Sequence, residues 1–90
     1  MLKEDEMVLE ELVEKYGNKQ VIVAIEELSE LQKELCKHLR DKTNIENITE
    51  ELADVYIMLY QMQYLFEISK SKINVKIKEK IERTKERLLK

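Results

Sequence analysis

Apolar positions along the 90-residue chain recur at intervals of three and four, the period of helices that bury one side. The first run predicts a helix from near Leu2 to Tyr16, with Leu9, Leu12, Val13 and Tyr16 on one face. Gly17 supplies its left-handed stop and Asn18 follows. A second helix opens around Lys19 or Gln20 and runs to about Leu39, with Val21, Ala24, Ile25, Leu28, Leu31, Leu35 and Leu39 as its apolar stripe. The most polar break is Arg40 to Asn47, which reads as a loop. Asn47, with Glu50 three residues later, resembles a capping box, so a third helix is expected from there to about Ile68. Its middle, Val55 to Tyr60, is apolar on every side and demands cover on more than one face. A fourth helix follows "SKSKIN", with Ile73, Ile77, Ile81, Thr84 and Leu88 as its buried stripe.

Composition sharpens this into an all-α fold of four helices in one domain spanning residues 1–90. The single Gly, the absence of Pro and the dominance of Glu, Lys, Leu and Ile leave little turn chemistry for a many-stranded sheet. A domain of this size buries a modest fraction of its surface when it folds alone, so assembly with further copies is expected to complete the core. Net charge is −3, from 19 acidic and 16 basic residues, which gives no global field toward nucleic acid or an anionic membrane. Ile48 to Ile68 is interrupted by Glu50, Glu51, Asp54, Gln61, Gln63 and Glu67, too polar for a membrane span, and the acidic start does not suit a signal peptide. A soluble cytoplasmic protein is the expectation. Cys36, the only cysteine, fits a reducing compartment and is read as a small buried hydrophobe.

The chemistry lies in the acids. In the second helix, Val23, Glu27, Glu30 and Glu34 form a stripe rotated away from the leucines, and Glu27 and Glu30 can reach one point. In the third, Glu51 and Asp54 are again three apart, on a stripe that continues into Met58 and Leu65. If these helices pack antiparallel, four carboxylates meet in one small volume, where they would bind protons or cations. Hard oxygen ligands without sulfur or imidazole favour Mg²⁺, with Mn²⁺ or Ca²⁺ as substitutes, and Mg²⁺ completes its shell with phosphates. A polyphosphate is then the expected substrate. The plain alternative is a solvated glutamate face, with acids at a helix start favoured by the dipole.

Other residues change the picture less. His38 has no Glu three residues before it and no second histidine beside it, so di-iron carboxylate chemistry is disfavoured, and it is read as an exposed residue near a helix end. Lys76, Lys80, Arg83 and Arg87 line one side of the fourth helix, opposite Glu79, Glu82 and Glu86. They either lay their stems over the apolar stripe or, at Lys80 and Arg83, reach phosphate oxygens. Gln20, Tyr56, Tyr60 and Tyr64 are available for a nucleobase but read better as core or interface residues.

The order E-E-x-x-E then E-x-x-D, here Glu26-Glu27-Leu28-Ser29-Glu30, twenty intervening residues and Glu51-Leu52-Ala53-Asp54, resembles the MazG-like all-α nucleoside triphosphate pyrophosphohydrolases. The wider text, "YGNKQVIVAIEELSELQKEL", "ITEELADVYIMLYQM" and "KIERTKERL", is similar as well, so the resemblance covers Tyr16 to Leu88. It implies Mg²⁺-dependent hydrolysis of a nucleoside triphosphate, ribo or deoxy, to the monophosphate and pyrophosphate. It also implies Glu27, Glu30, Glu51 and Asp54 as metal ligands, with Glu26 orienting a ligand or the attacking water. Lys80 and Arg83 become phosphate-contact candidates, in a homodimer or homotetramer whose four-helix units are built with partner subunits. The chain is shorter than many relatives and carries no tryptophan or evident base-contact motif. The competing class is a non-catalytic helical homo-oligomer, an assembly or nucleotide-binding module, in which the acids only solvate the surface.

Overall fold

Two long amphipathic helices joined by a short polar loop fold back on each other, and that hairpin organises the chain. A computed structural model describes residues 1–90. It comprises α1 (Lys3–Tyr16), α2 (Lys19–Leu39), α3 (Ile45–Leu65) and α4 (Lys70–Leu88), with no strand. No helix is long and apolar enough to cross a membrane.

Local chemistry sets the breaks. Gly17 ends α1, its N–H donating to the Val13 carbonyl at 2.8 Å, but at φ +53° and ψ −127° it lies outside the left-handed helical region expected from the sequence, in a conformation that the missing Cβ makes accessible. After α2, Asp41 adopts a positive φ and the Lys42 N–H returns to the Lys37 carbonyl at 2.9 Å. Asp is among the few non-glycine residues that accept this conformation at small cost. The cap of α3 is Asn44, whose side chain accepts from the Asn47 N–H at 3.0 Å, so the helix begins at Ile45, before the Asn47 start expected from the sequence. Two asparagines three apart made the cap ambiguous, and the side-chain bond resolves it. At the far end Glu67 turns to φ +54° and the Ile68 N–H bonds the Gln63 carbonyl at 3.0 Å, which stops α3 at Leu65 instead of Ile68. Ser69 then caps α4 by accepting from the Lys72 N–H at 3.2 Å.

The antiparallel register of α2 and α3 can be read from side-chain pairs. Gln20 Nε2 donates to Gln61 Oε1 at 2.8 Å, Asn47 Nδ2 donates to Glu34 Oε1 at 3.2 Å, and between them the Glu27 and Asp54 carboxylates come within 4.8 Å of each other. Each step of seven residues along α2 is matched by seven back along α3, the spacing of a coiled-coil seam. Its core positions are polar as well as apolar: Ala24, Val55 and Met58 are buried, and so are Gln20, Glu34 and Gln61.

On the other side of α3, α1 packs in parallel sense, burying Leu9 and Val13. Tyr60 Oη donates to Glu10 Oε2 at 2.6 Å and Tyr64 Oη to Glu14 Oε1 at 2.7 Å, two rungs matched four residues apart on both helices. The hydrogen bond to Glu10 is the first cause that holds the Tyr60 phenol up to about 12, with burial second. Tyr60→Phe is expected to lower stability by about 1 kcal/mol, a melting-temperature drop of roughly 4–8 °C. A thermal melt of the variant at neutral pH checks this, and an unchanged midpoint would show that the rung carries no stability.

The fourth helix stands apart. Along its length α4 packs on none of the other three, and an ion pair from Lys70 Nζ to Glu6 Oε2 at 3.3 Å ties its base. Ile73 is half-buried, whereas Ile77, Ile81, Thr84 and Leu88 of the expected buried stripe are exposed. The radius of gyration is 15.9 Å, against about 12 Å for a compact chain of this length. The α2 stripe is also a correction. Only Ala24 of it is buried, while Ile25 is 61 % exposed and Leu28 and Leu35 are each 48 % exposed. Because α2 turns its acid stripe toward α3, its leucine face points away from the hairpin. Cys36, expected buried, is exposed for the same reason, lying well round the helix from Gln20, Glu27 and Glu34.

Candidate metal centre in the helical hairpin

The heptad register places Glu27 opposite Asp54 and, one layer along, Glu30 opposite Glu51. Each of Glu27, Glu51 and Asp54 offers a carboxylate oxygen within 4.8 Å of the other two, and all three residues are half-buried. Oxygens on opposite sides of an octahedral shell of radius 2.0–2.1 Å are roughly 4 Å apart. At most one pair of three ligands can be opposite in such a shell, so these oxygens must draw closer together to share one cation.

Electrostatics at the cluster is that of carboxylates held together without a counter-charge. The Glu27 carboxyl is pushed above its ordinary range, first by burial, then by its hydrogen bond to Asp54, and then by the charges of Asp54, Glu51 and Glu30. Glu51 is also pushed up, first by burial and then by Asp54, Glu30, Glu34 and Glu50. Its Oε2 is buried without a donor. A desolvated, unpaired carboxylate oxygen beside two more carboxylates suits a hard divalent cation, so the donor set fits Mg²⁺.

These shifts have a stability consequence with a definite sign. Both carboxyls bind protons more tightly folded than unfolded, so ionising them opposes folding. Without divalent ions, the contribution of Glu27 and Glu51 to stability is fully present below the ordinary glutamate range and is lost as pH rises from there through their raised folded-state values. Melting temperature measured in chelator from pH 4 upward is expected to decline across that window, and Glu51→Gln should flatten the decline. A slope of opposite sign would contradict the assigned burial.

The remaining residues singled out in the sequence lie elsewhere. Glu30 is exposed and outside the three-oxygen group, although its charge acts on both Glu27 and Glu51. Glu26 is exposed and does not join them. Lys80 and Arg83 are exposed on α4, which does not pack on α2 or α3, so one chain does not deliver them to the acids. Lys80 instead lines an open apolar groove with Ile68, Ile73 and Ile77. His38 is exposed near the end of α2, as expected, with Nδ1 2.7 Å from Thr43 Oγ1 in the loop. Tyr60 and Tyr64 are engaged by α1, while Tyr56 is exposed.

Sequence reasoning assigned no part to Gln61 or Asn47 in the seam, and placed Glu34 on the acid stripe without a role. The signal was available in the seven-residue spacing of Gln20, Glu27 and Glu34 against that of Asn47, Asp54 and Gln61. Comparison with family models, curated proteins and solved structures finds no match, so the functional reading stands on the residues and geometry above.

Proposed function

We propose that this chain is a Mg²⁺-dependent nucleoside triphosphate pyrophosphohydrolase of the MazG-like type, converting a (d)NTP and water to the (d)NMP and pyrophosphate. The observation that carries the reading is the convergence of Glu27, Glu51 and Asp54 in the α2–α3 seam, with a buried Glu51 oxygen left without a donor. Glu30 joins them as a fourth ligand by a rotation across its layer. A bound Mg²⁺ would neutralise charge on the triphosphate and lower the pKa of a coordinated water.

The chain's own residues do the rest. A glutamate of this set accepts the proton of the attacking water, which displaces pyrophosphate from the α-phosphate or the monophosphate from the β-phosphate. Glu26, solvent-facing on the turn before Glu30, orients a ligand or that water. Lys80 and Arg83 contact phosphate oxygens, Lys as a point charge and Arg as a fork. Since α4 leaves its own hairpin, those two act on the site of another copy, in a homodimer or homotetramer that covers the exposed Ile25, Leu28 and Leu35 face. Support for assembly comes from the small buried set, 8 of 90 residues, which is a thin core for a chain that folds alone.

The test is a panel of canonical and modified NTPs and dNTPs with and without Mg²⁺. Metal-dependent release of pyrophosphate and monophosphate is expected from at least one. A second reading, a non-catalytic helical assembly module, is favoured by the same exposed apolar faces. It predicts no release from any nucleotide.

A further inference from the structure

The most enclosed side chain of the molecule is an amide. Gln61 is 2 % exposed, and Gln20, 9 % exposed, faces it across the α2–α3 seam with Nε2 donating to Gln61 Oε1 at 2.8 Å. Gln61 Nε2 finds only the Met58 sulfur, at 3.5 Å, a weak acceptor. Replacing both members of such a pair by apolar groups of similar shape is nearly neutral or stabilising, so stability does not account for it.

Little else in the seam fixes how far along each other the two helices lie. Of α2 only Gln20, Ala24 and Glu34 are buried, and Ala24 is small enough to sit opposite many partners. The next layer, Glu27 against Asp54 with Glu51 nearby, carries like charges that press the helices apart. At the loop end, the bond from Asn47 to Glu34 is only part-buried and is less costly to give up. A slip of one turn would set Gln20 against Leu65 or Ile57, and in the first case Gln61 against Ala24. Both amides would then lie among apolar groups without a partner, which is heavily penalised. The same slip moves Glu27 off Asp54, onto Met58 or Glu50. A buried polar residue is the best-attested means of fixing the register of a helical seam.

We propose that Gln20 and Gln61 are positioning residues, whose buried hydrogen bond sets the α2–α3 register that brings Glu27, Glu51 and Asp54 together. Neither belongs to the E-E-x-x-E and E-x-x-D pattern. Their effect on metal binding rests on the metal reading of the cluster, whereas the register itself is measurable without a metal.

Pulsed electron resonance between two spin labels reads that register. Cys36 is the only cysteine and is exposed, so Tyr56→Cys, at an exposed position of α3, supplies the second label site. Labelled chain diluted into unlabelled chain reports the distance within one subunit, and chelator removes any metal. The labelled parent is expected to give one narrow distance. With Gln20→Leu and Gln61→Leu added together, a second distance should appear, since each turn of slip moves the labels about 5 Å along the axis. Mn²⁺ affinity of that variant should fall at least tenfold, while its metal-free melting temperature holds or rises. Gln20→Glu, whose carboxylate can accept from Gln61 Nε2, should keep the single distance and the parent affinity. One unchanged distance in the leucine pair would overturn the proposal, whatever its melting temperature, and so would a second distance with unchanged Mn²⁺ affinity. If the leucine pair does not fold, Gln20→Leu alone decides by the same distances. An unmodified chain that binds no Mn²⁺ would strike the metal reading alone, and the register would then stand or fall on the distances.

Discussion

Asp54→Asn is expected to reduce pyrophosphate release by at least about 100-fold while leaving the metal-free protein as stable as before or more so. The two halves of this result come from the same electrostatics. Asp54 sits against Glu27 and heads the Coulombic influences on Glu51, so removing its charge relieves repulsion in a partly desolvated seam. The same removal takes one of three converging oxygens from the cation and leaves a neutral amide that binds a hard ion poorly. Loss of outer-shell partners alone typically costs 10–100-fold in metal affinity or activity, and a direct ligand should cost more. Turnover assays on the variant, paired with melts in chelator, check both. A variant that lost turnover and also lost metal-free stability would indicate a structural role for Asp54, and unchanged turnover would remove it from the site.

The second large effect concerns assembly. The unmodified chain is expected to sediment at twice its 10.8 kDa mass or a larger multiple. Leu28→Glu should shift it to the monomer with a marked fall in melting temperature. Leu28 is half-exposed in the single chain, on a face shared with Ile25 and Leu35, and the proposed assembly would cover that face. A charge placed there costs little in a monomer but several kcal/mol when buried unpaired between subunits. Sedimentation equilibrium reads the mass directly. A monomeric unmodified chain would show that the leucine face is solvent-exposed in the working protein and that α4 serves no neighbouring site.

How far the sequence spoke for itself differs from feature to feature. The four helices were legible, since threefold and fourfold apolar spacing, one glycine and a polar loop leave little else. That the acid pairs of α2 and α3 could meet was legible from their equal spacing and the short loop between them, whereas which carboxylates meet, Glu27, Glu51 and Asp54 without Glu30, depends on a register that spacing alone does not fix. The direction of the leucine face was not. Amphipathicity says that a face will be covered, not by what, and in α2 the acids turn inward while Leu28 and Leu35 turn out. Cys36 was misplaced with that face. The Asn44 cap hid behind Asn47 because both can accept from a backbone N–H, and the identity of the acceptor depends on φ and ψ. Glu34 was placed on its stripe, but its burial follows from the depth of the Asn47 layer, which no spacing rule reports.

Central to the account is the claim that the polar seam of α2 and α3 is built around a divalent cation. The most direct measurement is the melting temperature of the unmodified chain at neutral pH, in chelator and in millimolar Mg²⁺. A ligand at a hundred times its dissociation constant stabilises the folded state by about 2.7 kcal/mol. For a chain of this size that is a rise on the order of 10 °C, which is the result predicted. A midpoint that does not move with Mg²⁺, Mn²⁺ or Ca²⁺ would contradict it and leave Glu27, Glu51 and Asp54 as an acidic face of a helical assembly.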